Sequence, residues 1–500
     1  RAGDVATNHQ PAEVAKVNTS TVAGVEVPTA HFIDGKRVES RRKFAVNSPI
    51  DGKHLAEVSA GADAEVDAAV GAARRAFAAW AALGAEGRHP ILKRFAQAIR
   101  ERSAQLAAVE TTDNGSLLAV NLGRVMPRSA HNIEFFADRA LTLGREEIDS
   151  PEVVNHVRYD PAGVAALITP WNSPLMLMTW KVGPALAAGN TVVAKPPEWA
   201  PLTASLMADL ATEAGVPPGV LNVVQGIGEE AGAALAAHPD IDRLSFTGST
   251  DTARLIGQST ARSLTPVSFE LGGKSPYIVC ADADLDAAAQ TAAGQYANAG
   301  QVCLAGTRLL VEEQVADQFQ AKLREQVAHV TVGDPRERST RVGPLITPEH
   351  FRRVDGFVTR ALKDGATPVW GGHRDRAGEL YFEPTLLERA TQQSEVVQRE
   401  VFGPVLTWQT FRGEEELLRL ANGTRYGLAA MIFSRDHQRA MRLARNLVAG
   451  TVWVNCFFIR DLAAPFGGSR DSGIGREGGN WSFDFYCDVK NISVRKNSFA

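Results

Sequence analysis

Gly163-Val164-Ala165-Ala166-Leu167-Ile168 opens a region of this 500-residue chain in which short apolar runs alternate with helical segments. Similar apolar runs follow at 191–194, 220–224 and 244–246, and helical patterns lie between them at 202–214 and 229–237. Strands that alternate with helices form parallel sheets built of βαβ units. The region therefore predicts an α/β fold with a parallel sheet.

The second half of the chain repeats this alternation, so a second α/β domain is expected. Its strand-like runs lie at 308–311, 405–408, 429–433 and 451–454, and its helical runs at 316–330, 414–422 and 437–448. A chain of this length is too long for one hydrophobic core, which also favours two or three domains.

Both ends of the chain carry distinct patterns. Residues 1–28 are polar and Ala/Val-rich with little periodicity, which predicts a loose tail. Folded structure is expected to begin with a strand and a turn at 31–35. Two helices should follow: the first has a stripe of apolar residues from Val66 to Trp80, and the second begins at Pro90. The run 485–495 has strand character and is expected to pair outside its own domain.

Composition excludes several classes of function. The formal net charge is -4, which provides neither a basic field for nucleic acid nor a cationic face for membranes. No apolar run approaches the roughly 20 residues that span a bilayer. The four cysteines are widely spaced, so reduced thiols in the cytoplasm are expected rather than disulfides or a metal site.

Cys303 is the first candidate for chemistry. It lies in Asn298-Ala299-Gly300-Gln301-Val302-Cys303-Leu304-Ala305-Gly306, where small residues allow the backbone to approach a ligand. A thiol in such a loop is a nucleophile if a neighbouring group activates it. A buried structural cysteine is the alternative. Cys280, Cys456 and Cys487 lie in or beside apolar runs, which favours the structural role for them.

Two polar residues could assist such a nucleophile. Glu270, in Phe269-Glu270-Leu271-Gly272-Gly273-Lys274, follows a strand and precedes two glycines, so its carboxylate has room to meet a water as a general base. Asn172 lies in the Pro-bounded loop Thr169-Pro170-Trp171-Asn172-Ser173-Pro174, where its amide could hold an oxyanion. A surface Glu before a turn and an Asn that fills a turn are the alternatives.

Three further segments suit a dinucleotide. Lys195 and Glu198 directly follow a strand and could bind ribose hydroxyls. Ser249 stands where a strand end opens a helix, whose N-terminus can hold a pyrophosphate. Gly226-Ile227-Gly228-Glu229-Glu230-Ala231 is similar to a GxGxxG fingerprint, but a lone match of this kind is weak evidence.

In their joint occurrence and order, these segments resemble the aldehyde dehydrogenase family. The Glu-Leu-Gly-Gly-Lys motif at Glu270 and the Gly-Gln-x-Cys motif at Cys303 are specific as a pair, and their spacing of 33 positions is that of the family. Glu400-Val401-Phe402-Gly403-Pro404 and Pro465-Phe466-Gly467-Gly468 extend the resemblance, which covers about residues 31–495. Ala253, Arg470 and Pro197 depart from the family's usual Gly, Lys and Ser.

The resemblance implies a three-part architecture. A Rossmann-like NAD-binding domain would comprise residues 29–138 and 161–270, and an α/β catalytic domain residues 271–466. A small β extension, residues 139–160 and 481–500, would mediate oligomerisation into a homodimer or homotetramer.

The resemblance also implies roles for individual residues. Cys303 would attack the aldehyde, the Asn172 amide and the Cys303 backbone N–H would hold the oxyanion, and Glu270 would activate the water that hydrolyses the thioester. A carboxylate at Glu198 would favour NAD over NADP, because it accepts hydrogen bonds from the 2′-OH and repels a 2′-phosphate. The implied cofactor-binding residues are Trp171, Lys195, Glu198, Gly228, Ser249, Gly272, Glu400 and Phe402.

The implied aldehyde tunnel is apolar and aromatic, with one exception, Arg460. Its expected lining is Leu177, Trp180, Val302, Leu304, Phe457, Phe458 and Arg460. The runs 459–468 and 126–132 resemble the muconic-semialdehyde dehydrogenases, including the 5-carboxymethyl-2-hydroxymuconate type, which predicts a semialdehyde or aromatic aldehyde of catabolism as the small-molecule substrate.

Three alternatives remain at this point. Arg460 could be a surface ion pair in a general aromatic or aliphatic aldehyde dehydrogenase. A CoA-acylating semialdehyde dehydrogenase would generally lack the general base at Glu270. A structural or binding protein on this fold is the third, since fold alone does not fix function.

Overall fold

The computed structural model describes residues 18–144 and 146–496, which form two large sheets and three small ones besides a short pairing at 426–427 and 469–470. The first large sheet has eight strands. In spatial order they are Gly473–Ile474, Val267–Glu270, Arg243–Thr247, Val164–Ile168, Thr191–Lys195, Leu221–Val223, His31–Ile33 and Lys36–Val38. The five central strands run parallel and the flanking strands antiparallel, so the predicted α/β fold is confirmed.

Both faces of this sheet are buried, which explains its uniformly apolar strands. Ala165 and Leu167 pack into one core cluster, whereas Val164, Ala166 and Ile168 pack into another on the opposite face. The surrounding helices are Asp63–Ala82, Gly84–Glu101, Ser103–Asn114, Leu118–Val120, Met126–Ala140, Pro174–Ala188, Leu202–Glu213, Ala233–Ala237 and Thr250–Thr260, with π-helical turns at Asn121–Val125 and Gly228–Gly232.

The second large sheet contains the predicted strands of the second half. In spatial order they are Thr367–Trp370, Thr385–Glu388, Val405–Phe411, Arg308–Glu312, Pro276–Val279, Ala429–Phe433 and Thr451–Val454, and only the first is antiparallel to its neighbour. The helices of this half are Leu285–Ala293, Ala316–Val327, Pro348–Lys363, Glu395–Gln398, Gly413–Ala421 and His437–Asn446, with 3-10 turns at Gly294–Gly300 and Glu313–Val315.

The end of the chain forms a separate three-stranded sheet. After the helix Gly479–Tyr486, the strand Cys487–Arg495 pairs antiparallel along its whole length with Val153–Pro161, which in turn pairs with Glu147–Asp149. The terminal strand therefore lies outside the second large sheet, as its pattern predicts.

The predicted loose tail over residues 1–28 requires correction. Residues 1–17 lie outside the described residues, but Thr19–Val22 and Val25–Pro28 form a hairpin. The Val22 and Val27 side chains are buried against the two-stranded sheet of Lys43–Asn47 and His54–Ser59. Folded structure thus begins before His31, because two valines are enough to anchor this short hairpin to a small core.

The second helix also differs from the prediction, because it begins at Gly84 rather than at Pro90. Pro90 removes one backbone hydrogen bond inside the helix. The helix continues through it because Leu92, Phe95 and Ile99 are fully buried on one face. Among the described residues, no helix combines the length and apolar character that crossing a membrane requires.

Candidate active site

A cavity of about 530 Å³ lies at the carboxyl ends of the first sheet's strands, where ligands bind in open α/β sheets. It contains the three predicted catalytic residues, Asn172, Glu270 and Cys303. Its wall also contains Trp171, Ser249, Gly272, Glu400, Phe402, Leu177, Trp180, Val302, Leu304, Phe458 and Arg460. Phe457 is not among the lining residues; its ring packs against Trp453 and Phe458 instead.

Cys303 is presented by a tightly folded loop. Asn298 and Ala299 both have φ of 54°, and Gly300 has φ of 69°. A Cβ atom at Gly300 would overlap the carbonyl of Gly403, so only glycine allows the cysteine loop to approach the 400–404 loop this closely. The two loops that the motifs identify are therefore in direct backbone contact.

The Cys303 thiol is protonated in the resting protein. Burial, together with the carboxyl groups of Glu400 and Glu270, raises the pKa of Cys303 to about 12, and Arg460 opposes this shift. Since the thiolate is the reactive form, its formation needs either a proton acceptor or added positive charge nearby.

Asn172 is held by the residues that precede the cysteine. The Asn172 side-chain nitrogen donates to the backbone carbonyl of Gln301 at 3.0 Å. The backbone carbonyl of Asn172 accepts from the side-chain amide of Asn298 at 3.1 Å. A primary amide has two N–H bonds, so the second one is left for an oxyanion formed beside Cys303. This arrangement gives the pre-positioned donor that oxyanion stabilisation requires.

Glu270 ends the strand that pairs with Arg243–Thr247. Neither of its carboxylate oxygens has a hydrogen-bond partner among the described residues, although both are buried. Burial and the neighbouring Glu477 raise the pKa of Glu270 well above its usual range, and Lys181 acts in the opposite direction. A carboxyl group with free oxygens and a raised pKa suits the exchange of protons with a water at neutral pH.

A buried charged pair behind Glu270 has no signature in the sequence. Lys181 Nζ lies 2.7 Å from Glu477 Oε1 and also donates to Ser245 at 2.7 Å. The indole N–H of Trp180 donates to the other oxygen of Glu477, which lines the cavity. The two partners are 296 positions apart in the chain, so only the fold reveals their pairing.

Two arginines line the cavity beside aromatic rings and form no ion pair among the described residues. The Arg460 guanidinium lies over Phe466 at 3.7 Å and over Trp180 at 4.9 Å. The Arg124 guanidinium lies 4.5 Å from the centre of the Phe458 ring. Within the part of the chain that the structure describes, neither guanidinium forms an ion pair or donates a hydrogen bond. Arg124 is not part of any motif, and only the cavity identifies it as a candidate site residue.

The opposite side of the cavity has features that fit a dinucleotide. Ser249 caps the helix Thr250–Thr260, where the positive end of the helix dipole can hold a phosphate. Glu400 accepts a hydrogen bond from the Gly273 backbone at 3.0 Å, and a Cβ at Gly272 would overlap its carboxylate. Trp171 and Phe402 meet edge to face at 5.3 Å between ring centres.

Lys195, Glu198 and Gly228 form a separate group outside the lining of this cavity. Lys195 Nζ lies 2.9 Å from Glu198 Oε2, and the Gly228 N–H donates to Glu198 Oε1 at 3.4 Å. Burial acts to raise the pKa of Glu198, but Lys195 and the backbone hydrogen bonds from Glu198 and Gly228 together outweigh it, so the net effect lowers the pKa. Glu198 is therefore a carboxylate at neutral pH, as hydrogen bonding to ribose hydroxyls requires. No group of three potential metal ligands occurs in residues 18–144 or 146–496.

Comparison with known proteins places this geometry in context. The model of the aldehyde dehydrogenase family matches residues 36–492. A 2-hydroxymuconic semialdehyde dehydrogenase of Pseudomonas sp. (strain CF600) is 43% identical over 93% of this chain and 99% of its own length. A 2-aminomuconic semialdehyde dehydrogenase of Danio rerio is 41% identical over 93% of this chain and 98% of its own.

Solved structures agree with these relatives. HpcC from Thermus thermophilus superposes with a TM-score of 0.91 at 41% identity, over 95% of this chain and 97% of that one. An indole-3-acetaldehyde dehydrogenase in complex with NAD+ superposes with a TM-score of 0.92 at 39% identity, over 94% and 97%. The resemblance noted in the motifs is confirmed, and this chain belongs to the aldehyde dehydrogenase family.

Proposed function

We propose that this enzyme oxidises an unsaturated semialdehyde with a distal carboxylate to the dicarboxylic acid, with NAD as the oxidant. The observation that carries the substrate assignment is that Arg460 and Arg124, which form no ion pair among the described residues, lie among aromatic side chains in the cavity that contains Cys303. Burial lowers the pKa of Arg460, so its unpaired charge is costly unless a ligand neutralises it, whereas Arg124 is exposed.

The chain's own groups account for the chemistry. The Cys303 thiol gives its proton to water in the cavity, its sulfur attacks the aldehyde carbon, and the oxyanion that forms is held by the Asn172 amide and the Cys303 backbone N–H. When bound, NAD supplies the hydride acceptor. Loss of the formyl hydrogen leaves a thioester on Cys303. Glu270 then takes a proton from water, the resulting hydroxide attacks the thioester carbonyl, and the C–S bond breaks to release the acid and the thiolate, which regains a proton from Glu270.

NAD fits the residues on the other side of the cavity. The capped helix at Ser249 suits the pyrophosphate, Glu400 suits the hydroxyls of one ribose, and Trp171 and Phe402 enclose the nicotinamide side. Lys195, Glu198 and Gly228 suit the adenosine ribose, where the ionised Glu198 favours NAD over NADP. The solved relatives that are complexed with NAD+ support the same assignment.

The relatives support the substrate class. Their names specify 2-hydroxymuconic and 2-aminomuconic semialdehydes. A charge-assisted hydrogen-bonded pair between a guanidinium and a carboxylate is worth roughly 1.5–3 kcal/mol. This corresponds to roughly 10- to 150-fold in kcat/KM between an acidic aldehyde and its neutral analogue.

A matched pair of substrates tests this assignment. We would measure kcat/KM for 2-hydroxymuconic semialdehyde and for its neutral methyl ester in wild type, Arg460→Ala, Arg124→Ala and the exposed control Arg445→Ala. Each cavity variant should lose roughly 10- to 150-fold for the acid and less than about threefold for the ester, and the control should lose neither. If wild type prefers the ester and Arg460→Ala affects both alike, the enzyme is a general aromatic or aliphatic aldehyde dehydrogenase.

The three-stranded sheet at the end of the chain supports an oligomer. Ile148, Val489 and Ile492 are exposed there by 48%, 53% and 41%, which is unusual for large apolar side chains on one sheet. We propose that a second copy covers them in a homodimer or homotetramer. Val489→Lys with Ile492→Lys should yield a smaller species by light scattering, and an unchanged mass would rule this interface out.

A further inference from the structure

Phe402 has a backbone conformation that needs external support. Its φ is 59°, in the left-handed region that non-glycine residues adopt only where their surroundings impose it. Its carbonyl accepts a hydrogen bond from His350 Nε2 at 2.7 Å. Phe402 lines the cavity two residues after Glu400, so whatever fixes this backbone also fixes the cofactor side of the cavity.

His350 is built to be a neutral donor. It lies buried in the first turn of the helix Pro348–Lys363, where the helix dipole disfavours a positive charge. Burial lowers the pKa of His350 to about 4, an effect that the Phe402 carbonyl opposes and Arg353 strengthens. A neutral imidazole has one N–H, and the facing carbonyl requires it to be on Nε2.

The His350 ring also contacts the loop that carries Asn172. Its centre lies 5.3 Å from that of Trp171 and 6.1 Å from that of Phe402, both edge to face. The direct contact between Trp171 and Phe402 closes a set of three rings from three distant segments of the chain. His350 thus connects the loop of the oxyanion donor to the loop of the cofactor-side residues through one hydrogen bond and two ring contacts.

We propose that His350 is a positioning residue that fixes the 400–403 loop against the Trp171-Asn172 loop, and so governs oxidation of the aldehyde rather than hydrolysis of the thioester. The inference goes beyond the proposed function and does not depend on the carboxylate of the substrate. It assigns a role to a histidine that the sequence patterns do not single out and that has no part in the covalent steps.

Three replacements separate the hydrogen bond from the ring. His350→Gln keeps an N–H donor, His350→Phe keeps a ring without a donor, and His350→Leu keeps neither. His329, which is exposed and outside the cavity lining, provides the control His329→Leu. Each protein is tested for NAD-dependent oxidation of benzaldehyde, for hydrolysis of 4-nitrophenyl acetate without NAD, and for NAD dissociation by quenching of tryptophan fluorescence.

A displaced loop should mainly slow oxidation of the aldehyde, because this step needs the aldehyde and NAD to be aligned. Misplacement of reacting groups by about 1 Å lowers a reaction rate about 100-fold. His350→Leu and His350→Phe should lower benzaldehyde oxidation by about 10- to 100-fold and weaken NAD binding at least about fivefold, while ester hydrolysis falls less than about threefold. His350→Gln should recover oxidation to within about threefold of wild type. Equal losses in both reactions, or a fully active His350→Phe, would overturn the proposal.

A measurement on the wild type covers the case in which the variants fail to fold. In 15N-labelled wild-type protein, the His350 signal is identified by its contacts with Phe402 and Trp171 protons. If a variant folds, the signal that it lacks gives the same assignment. This signal reports the state of His350. It should show a neutral ring with the proton on Nε2 throughout the neutral pH range. A protonated ring, or a proton on Nδ1, would contradict the proposed hydrogen bond.

Discussion

Replacement of Glu270 by Gln should separate the two halves of the reaction. The Glu270 oxygens accept no hydrogen bond among the described residues, so the isosteric amide removes the base without breaking a protein contact. Cys303 and Asn172 keep their positions, because neither is bonded to Glu270. We therefore expect the variant to form the thioester and then to stall, since no other described carboxyl group of the cavity has both oxygens free for a water.

The size of the effect follows from the lost proton transfer. General-base assistance typically contributes about 10²- to 10⁴-fold, so steady-state turnover should fall by that factor. Rapid mixing of the variant with aldehyde and NAD should give a burst of about one equivalent of NADH per active site, followed by a slow phase. Intact mass spectrometry should detect the acyl group on the protein during the slow phase.

Two outcomes would refute this reasoning. Absence of both burst and turnover would show that Glu270 is needed to activate the thiol, which is a real alternative because the resting thiol is protonated. Turnover close to wild type would show that another group activates the water. The exposed Glu379→Gln should behave as wild type in every measurement and controls for the handling of the protein.

Three further changes have defined outcomes. Cys303→Ala should abolish NADH production while NAD still binds, and more than a few per cent residual turnover would exclude Cys303 as the nucleophile. Glu198→Gln should lower the ratio of kcat/KM for NAD over NADP; an unchanged ratio would mean that Glu198 does not face the 2′ position. Burial raises the pKa of Glu110 to about 7, so the folded state binds this proton more tightly than the unfolded chain and loses stability as pH rises from about 4.5 to 7. Glu110→Gln should therefore gain up to about 3 kcal/mol relative to wild type between about pH 5 and pH 8 in denaturant titrations, and an equal difference at both pH values would contradict the buried proton.

Much of the architecture can be read from the sequence, because buried parallel strands leave a strong local signal. The runs at 164–168 and 429–433 are strands with the predicted bounds, since both faces of each sheet demand apolar residues. The motifs around Glu270 and Cys303 are equally readable, because each combines a strand end or turn with a reactive side chain. Their meeting in one cavity is visible only in the structure, because Glu270 ends a strand of the first large sheet and Cys303 precedes a strand of the second.

Other features depend on contacts between distant segments and have no local signal. The 19–28 hairpin contributes only two buried valines, so its strands look like a polar tail. Lys181 and Glu477 are ordinary charged residues until the fold pairs them. Arg124 lies in a helical region with nothing unusual nearby in sequence, and only the cavity shows that its guanidinium lacks a carboxylate.

The strand Gly473–Ile474, which covers the edge of the strand that ends at Glu270, has a consequence for biosynthesis. While the ribosome makes the chain, Val267–Glu270 remains an uncovered edge until about 200 more residues have been added. Elongation at about 5–20 residues per second makes that interval roughly 10–40 s. Throughout it, Lys181 also lacks Glu477. An open strand edge is a site for nascent-chain aggregation, although a nearby lysine charge opposes edge pairing, so we expect chaperones to be recruited during this interval and released when the C-terminal segment arrives.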